Sequence, residues 1–318
     1  MSAIARAPAG RRPRPISRLI HIDDRETDLE HRGFAPCPPD VRALLELHGR
    51  SFADGFNLAV AEPDQDEVAA QLGTVAPEER GFAFEGAGMG LALLDLLRPR
   101  AQRFGNFVER HGEDHVYLLH VGAGWALARL HRRPWARLAV DPLLRWLCID
   151  GYGFHDAFFH SEHVVREHAV PRRLRGRQRR VFDHGVGRAL WFVETAEPRR
   201  VAATVDTFAE ERRSDLWSGV ALAAAYAGGL DDDGLDRLAE LGDAYRPELV
   251  QGAAFAVTAR LRAGHTPEWT RAACLRICGV AVEDAAAATI DALSHAGNPG
   301  DDGSYERWRA GIRARLAG

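Results

Sequence analysis

The chain contains no lysine, so all 41 of its basic residues are arginine. That usage, with heavy alanine, is the mark of a high-GC bacterial genome and says little about mechanism. Cysteine is scarce: Cys37, Cys148, Cys274 and Cys278 are the only four in 318 residues. That density excludes a disulfide scaffold. Cys274 and Cys278 are four apart and share a helix face, but no second ligand pair stands at metal spacing, so both read as small buried side chains. No apolar run reaches membrane-spanning length, and no signal-peptide pattern opens the chain, so a soluble, cytoplasmic protein without membrane contact is expected. Alternating Val/Ile/Thr runs between hairpin turns are missing too, which argues against a β-sheet core. No dinucleotide fingerprint, P-loop or haem motif occurs, and no cofactor or metal is expected.

What is present is 46% hydrophobic residues and a formal charge of only −4. The core is therefore sizeable, and the surface is not built to condense on nucleic acid. One segment departs from this balance: "RRLRGRQRR" (172–180) holds six arginines. No aromatic residues interleave with them, so nucleic acid is a poor partner. The segment reads as a solvated loop, or as a patch receiving an acidic protein.

Gly86, Gly122, Gly151, Gly185, Gly219, Gly252 and Gly279 head similar alanine-rich, apolar phrases 27–36 residues apart, among them "EGAGMGLALL", "VGAGWALARL" and "HGVGRALWFV". More polar segments with helix-start signals alternate with them. The pattern predicts an all-α protein, a helical-repeat, α-solenoid-like array of helical hairpins with a period of about 34 residues. Glycine inside a helix costs roughly 1 kcal/mol against alanine, so its recurrence calls for close helix packing in return. Residues 1–34 read as a flexible Arg/Pro-rich leader, 35–80 as an N-terminal capping region with one helix over 40–60, and 81–318 as the repeat domain.

Six phrases, "GFAFEGAGMGLALLDLL", "HVGAGWALARL", "DPLLRWLCIDGYGFHDAFFH", "FDHGVGRALWFV", "RRSDLWSGVALAAAYAGG" and "QGAAFAVTAR", together resemble a bacterial family known as a domain of unknown function, number 1702. The resemblance covers about residues 35–315. Members occur in natural-product gene clusters, enediyne clusters included. The resemblance therefore implies an accessory role in building or handling a small hydrophobic polyketide-derived molecule, with an acyl carrier protein or other biosynthetic proteins as partners. It carries no established reaction. An amide is more usual in the family where this chain has His184, so the resemblance assigns His184 no catalytic role.

Polar residues inside apolar helices mark where chemistry can live, because burying them unpaired is costly. Glu85, Asp150, His155, Asp156, Asp183 and Arg188 are the acid–base candidates. Glu85, Asp150, Asp183, His184 and Gln251 would line one wall if equivalent helices stack. Arg188, on a buried helix, needs a carboxylate, most simply Asp150 or Asp183. His155–Asp156 sits where an imidazole can titrate near neutrality, and is otherwise a satisfied core histidine. Trp125, Tyr152, Trp191, Trp217 and Tyr226, with Gln251, are candidates to wall a pocket for a flat conjugated ligand, and are equally ordinary core aromatics. In 153–168, His160, His163 and Glu167 share a helix face; with no recognised ligand motif, the run reads as a helix end and loop rather than a metal site. Asp231–Asp233 echoes the acidic motif of terpene cyclases, but its place before Leu235 makes it a helix cap. Two functions follow: a pocket protein that promotes a redox-neutral cyclisation by proton transfer, or a non-catalytic helical-repeat scaffold for biosynthetic proteins.

Overall fold

A computed structural model describes residues 17–132, 138 and 140–317. The described residues are helical, with no β-strand among them. In chain order the helices are α1 (Ser17–Ile20), α2 (Pro39–Ala61), α3 (Gln65–Gly73), α4 (Pro77–Leu97), α5 (Arg103–His111), α6 (Val116–Arg129), α7 (Arg145–Phe159), α8 (Arg177–Val193), α9 (Pro198–Thr207), α10 (Glu210–Ala227), α11 (Asp232–Leu241), α12 (Arg246–Arg262), α13 (Glu268–Ala273), α14 (Val282–Ser294) and α15 (Ser304–Leu316). Single π-helical turns occur at Glu162–Arg166 and Cys274–Cys278. No helix among the described residues is long and apolar enough to cross a membrane. Of the leader read in residues 1–34, residues 1–16 lie outside the described residues, whereas 17–34 hold α1 and a 3-10 turn at Asp24–Thr27, with Ile22 N donating to Asn57 Oδ1.

The polar helices start where the sequence places caps. Asp64 accepts from Asp66 N ahead of α3, Glu197 from Arg199 N and Arg200 N ahead of α9, and Asp231 from Gly234 N ahead of α11. Each satisfies a backbone donor that the first helical turn leaves open. Asp231 is thus a cap in the structure. The apolar helices α4, α6, α8, α10 and α12 are buried around most of their circumference.

The described residues divide between two compact units, one within 1–34 and 42–152 and the other within 35–41 and 153–318. In the first, α2, α4, α6 and the start of α7 pack in succession. A Cβ added at Gly86 would overlap the carbonyl oxygen of Phe52 on α2, one at Gly122 that of Glu85 on α4, and one at Gly151 that of Val121 on α6. In the second unit the same holds for Gly219 against His184 O on α8 and Gly252 against Ser218 O on α10. A later glycine in the same helix faces forward instead: Gly124 meets Cys148 on α7, Gly153 meets Phe182 on α8, and Gly187 meets Leu216 on α10. The G-x-G spelling therefore has a geometric meaning. In α4, α6 and α7 its first glycine lets the preceding helix touch backbone to backbone, and its second does the same for the following helix. Such contacts bring Cα–H groups against carbonyl oxygens, a weak attraction added to dense packing.

The paired numbers run in opposite senses. Gly187 faces Leu216 while Gly219 faces His184, and Gly124 faces Cys148 while Gly151 faces Val121. Consecutive packed helices are therefore antiparallel. Gly86, Gly122, Gly151, Gly219 and Gly252 stand near the middle of their helices. Gly279 departs from the expectation. It caps the π-helical turn at Cys274–Cys278 with φ +71° and has nothing within 4 Å of its missing Cβ, so it serves a left-handed backbone and not helix packing. The first 80 residues, which lack the phrase, nevertheless use the contact: Gly55 of α2 takes the Ala83 carbonyl of α4.

Candidate functional site

In the first unit, Glu85, Asp150 and Tyr152 are buried on α4 and α7, and Trp125 of α6 packs against Phe52 with ring centroids 4.3 Å apart and the planes tilted by 33°. Two histidines that sequence reasoning passed over are fixed there. The His48 Nδ1 lies 2.9 Å from the buried Glu79 carboxylate, with its ring stacked 4.2 Å from Phe82. His120 donates from Nδ1 to Val116 O at 2.7 Å and accepts the Asp141 N–H at Nε2 at 3.2 Å, which sets its tautomer. Burial depresses its pKa, against smaller opposing effects of Val116 O and Asp141.

In the second unit, α7 and α8 assemble an aromatic cluster around several predicted residues. Phe154 lies 6.0 Å from Phe158 and 5.5 Å from Phe192, and Phe158 lies 5.2 Å from Phe159. The buried His155 joins it, its ring 4.9 Å from Phe159 and its Nδ1 3.2 Å from Asp156 Oδ1. The Arg188 guanidinium sits 5.2 Å above the Phe154 ring. An imidazole–carboxylate pair and a cation are thus set against four phenylalanines. An imidazole beside a carboxylate is chemically able to move a proton.

Asp183 has a partner that the sequence did not suggest. Arg212 of α10 grips both its oxygens, at 2.6 and 3.0 Å. Burial raises the Asp183 pKa to about 6; Arg212 pulls the other way without cancelling it. Arg212 also donates to His168 O and packs its guanidinium over Phe208.

The remaining predicted residues disperse. Trp191, fully buried, donates from Nε1 to Gly228 O at 2.9 Å, and Trp217 is buried on α10. Tyr226 lies under Arg260, whose guanidinium is 3.8 Å from the ring centroid and donates to the Tyr226 carbonyl. The histidine run splits up. His163 binds Glu167 at 2.7 Å on the exposed surface, His160 lies 6.1 Å from His155, and His168 turns away with φ +56° to contact Thr207 and Phe208. No group of three side chains able to hold a metal occurs among the described residues. Cys274 and Cys278 are buried free thiols, hydrogen-bonded to Val280 O and Val250 O.

Gln251 leads to a network that the sequence did not announce. Its Oε1 accepts from Ser218 Oγ and from Arg309 Nε, both at 2.9 Å. Ser218 and Gln251 each precede a packed glycine and touch across α10 and α12. Arg309 of α15 is wholly buried and reaches Asp215 Oδ1 at 2.8 Å and Glu306 at 3.4 Å. Arg180, the last arginine of 172–180, holds the other Asp215 oxygen at 2.9 Å. Burial pushes the Asp215 carboxyl up, but Arg309 and Arg180 outweigh it and leave it below the usual range. Phe255, Tyr305 and Trp308 pack beside this network, Phe255 lying 4.7 Å from Trp308.

Fold and site together define an all-helical protein, packed through glycine contacts, that carries ionisable groups in its aromatic interior. The chain belongs to the family described as "Protein of unknown function (DUF1702)", whose model matches residues 14–316. Neither the curated proteins nor the solved structures give a match.

Proposed function

We propose that this protein is an accessory protein of secondary-metabolite biosynthesis of the enediyne or polyketide type. In this reading it binds a hydrophobic conjugated intermediate between its helices and promotes a redox-neutral cyclisation by proton transfer. The supporting observation is the α7–α8 cluster: His155 and Asp156 at the edge of Phe154, Phe158, Phe159 and Phe192, with Arg188 above Phe154. The phenylalanines suit a polyene or polycycle, the imidazole with its carboxylate suits proton transfer, and the guanidinium suits a carboxylate or phenolate. The biosynthetic setting comes from the resemblance of the glycine phrases. We read the architecture as a helical repeat of about 34 residues in which each core helix is turned over relative to its predecessor. The recurring glycine-to-carbonyl contact supports that reading.

A second reading, a non-catalytic scaffold for biosynthetic proteins, is favoured by one observation: the Asp183 carboxylate is consumed by Arg212. Deleting the gene in a producing strain and analysing the culture by mass spectrometry separates the two. Accumulation of one discrete small molecule supports the pocket reading. Loss of every late intermediate without accumulation supports the scaffold.

A further inference from the structure

The network around Arg309 is unbalanced. Three guanidinium groups, Arg180, Arg309 and Arg313, share two carboxylates, Asp215 and Glu306. One positive charge is left over in a site whose inner members, Arg309 and Gln251, are completely shielded from solvent. The surplus lies toward the half-exposed Arg180, whereas N–H donors buried without acceptors are unfavourable wherever they stand. Three such donors are present: Arg309 Nη2, Gln251 Nε2 and Arg313 Nη1 are buried and meet no acceptor among the described residues. They are neighbours, since Gln251 Oε1 binds Arg309 Nε, and Glu306 binds both Arg309 and Arg313. The cluster also grades outward. The Arg180 side chain is 46% exposed and Glu306 26%, whereas Arg309 is 0%.

We propose that this cluster is a binding site for a small anionic group, a carboxylate or a phosphate monoester, entering past Arg180 and Glu306 and received by Arg309, Arg313 and Gln251. An anion there supplies the missing negative charge and the missing acceptors together, and planar guanidinium groups match both chemistries in geometry. The aromatic group of Phe255, Tyr305 and Trp308 alongside offers an apolar wall to a substituent on that anion. The site also gives part of the arginine-rich segment 172–180 a role, because Arg180 guards its outer edge. It is independent of the α7–α8 cluster and of the function proposed for it.

Calorimetric titration of the full chain at constant chloride, with inorganic phosphate and with hexanoate as separate probes, tests this. One-to-one saturable binding of at least one probe is expected. Phosphate alone would mark a phosphate-bearing ligand, and hexanoate alone a carboxylate. Arg309→Met strips Asp215 of its buried partner and risks misfolding, so Arg313→Gln is the deciding variant. It should weaken binding at least about tenfold, the loss expected for one charge-assisted hydrogen bond. Arg315→Gln, which removes the exposed pair with Asp291, should leave binding unchanged. Binding of neither probe, or binding that Arg313→Gln does not weaken, overturns the proposal.

Discussion

Replacing Gly219 by alanine separates helix propensity from helix packing, because the two effects have opposite signs. In a free helix the change is favourable by about 1 kcal/mol. Here the added methyl would overlap the His184 carbonyl oxygen and stand 2.8 Å from Arg188 N and 3.0 Å from Gly187 Cα, all of them backbone atoms of α8. No side chain can swing aside, so α8 and α10 must part by roughly 1 Å, which forfeits a quarter to a half of the dispersion energy at each contact they share. Overpacking of this kind costs about 1–3 kcal/mol and more where backbone is involved, so a net loss near 3 kcal/mol is expected. At an unfolding entropy of about 2.1 cal/mol/K per residue, a chain of 318 residues then loses about 4–5 °C in Tm. Gly73→Ala is the internal control. It ends α3 with nothing within 4 Å of its missing Cβ, and should be neutral or stabilising by up to about 1 kcal/mol. Denaturant unfolding followed by far-UV circular dichroism reads both variants. A Gly219→Ala protein as stable as the parent would refute the close-packing reasoning.

Asp183 should make stability fall with rising pH. Its carboxyl titrates near 6 in the folded protein against 3.8 when unfolded, so its favourable contribution is complete below 3.8 and is lost as pH rises through 6. The swing is at most about 3 kcal/mol, and Asp183→Asn should remove it in denaturation curves collected across that range. His120 acts in the other direction. Its folded pKa lies below 6.5, so its contribution is present above 6.5 and is lost as pH falls through the folded value. His120→Leu should cost about 1–3 kcal/mol at neutral pH and lessen the loss of stability in acid, read by the same curves. Trp191→Phe leaves the Gly228 carbonyl without its indole donor and should cost about 1–3 kcal/mol in thermal unfolding, with little change in helix content.

The helical class and the buried glycine phrases were legible because a glycine amid apolar residues at helix period gives up helix propensity, and close packing is what repays it. The forward and backward use of G-x-G was not, since the spelling does not say which neighbour each glycine meets. Gly279 misled because a cap glycine and a packing glycine look alike beside alanines. His155, Asp156 and Arg188 were singled out as polar residues in apolar text, and the structure sets all three against one aromatic cluster. The Arg212 grip on Asp183 was missed because Arg212 lies in the charged run "EERRSD", which reads as a solvated helix start. Arg309 was missed for the same reason: "YERWRAGIRARL" looks like a surface helix. Its acceptors Asp215 and Gln251 are 94 and 58 residues away in sequence, so only the folded chain brings them together.

The most direct test of the proposed function is titration of the full chain with a conjugated tetraene fatty acid, following probe fluorescence and quenching of the protein's tryptophans. The account predicts saturable binding of one probe per chain, weakened when Phe154 is replaced by alanine and unchanged when exposed Leu275 is. Absence of saturable binding, or binding indifferent to Phe154, would contradict it.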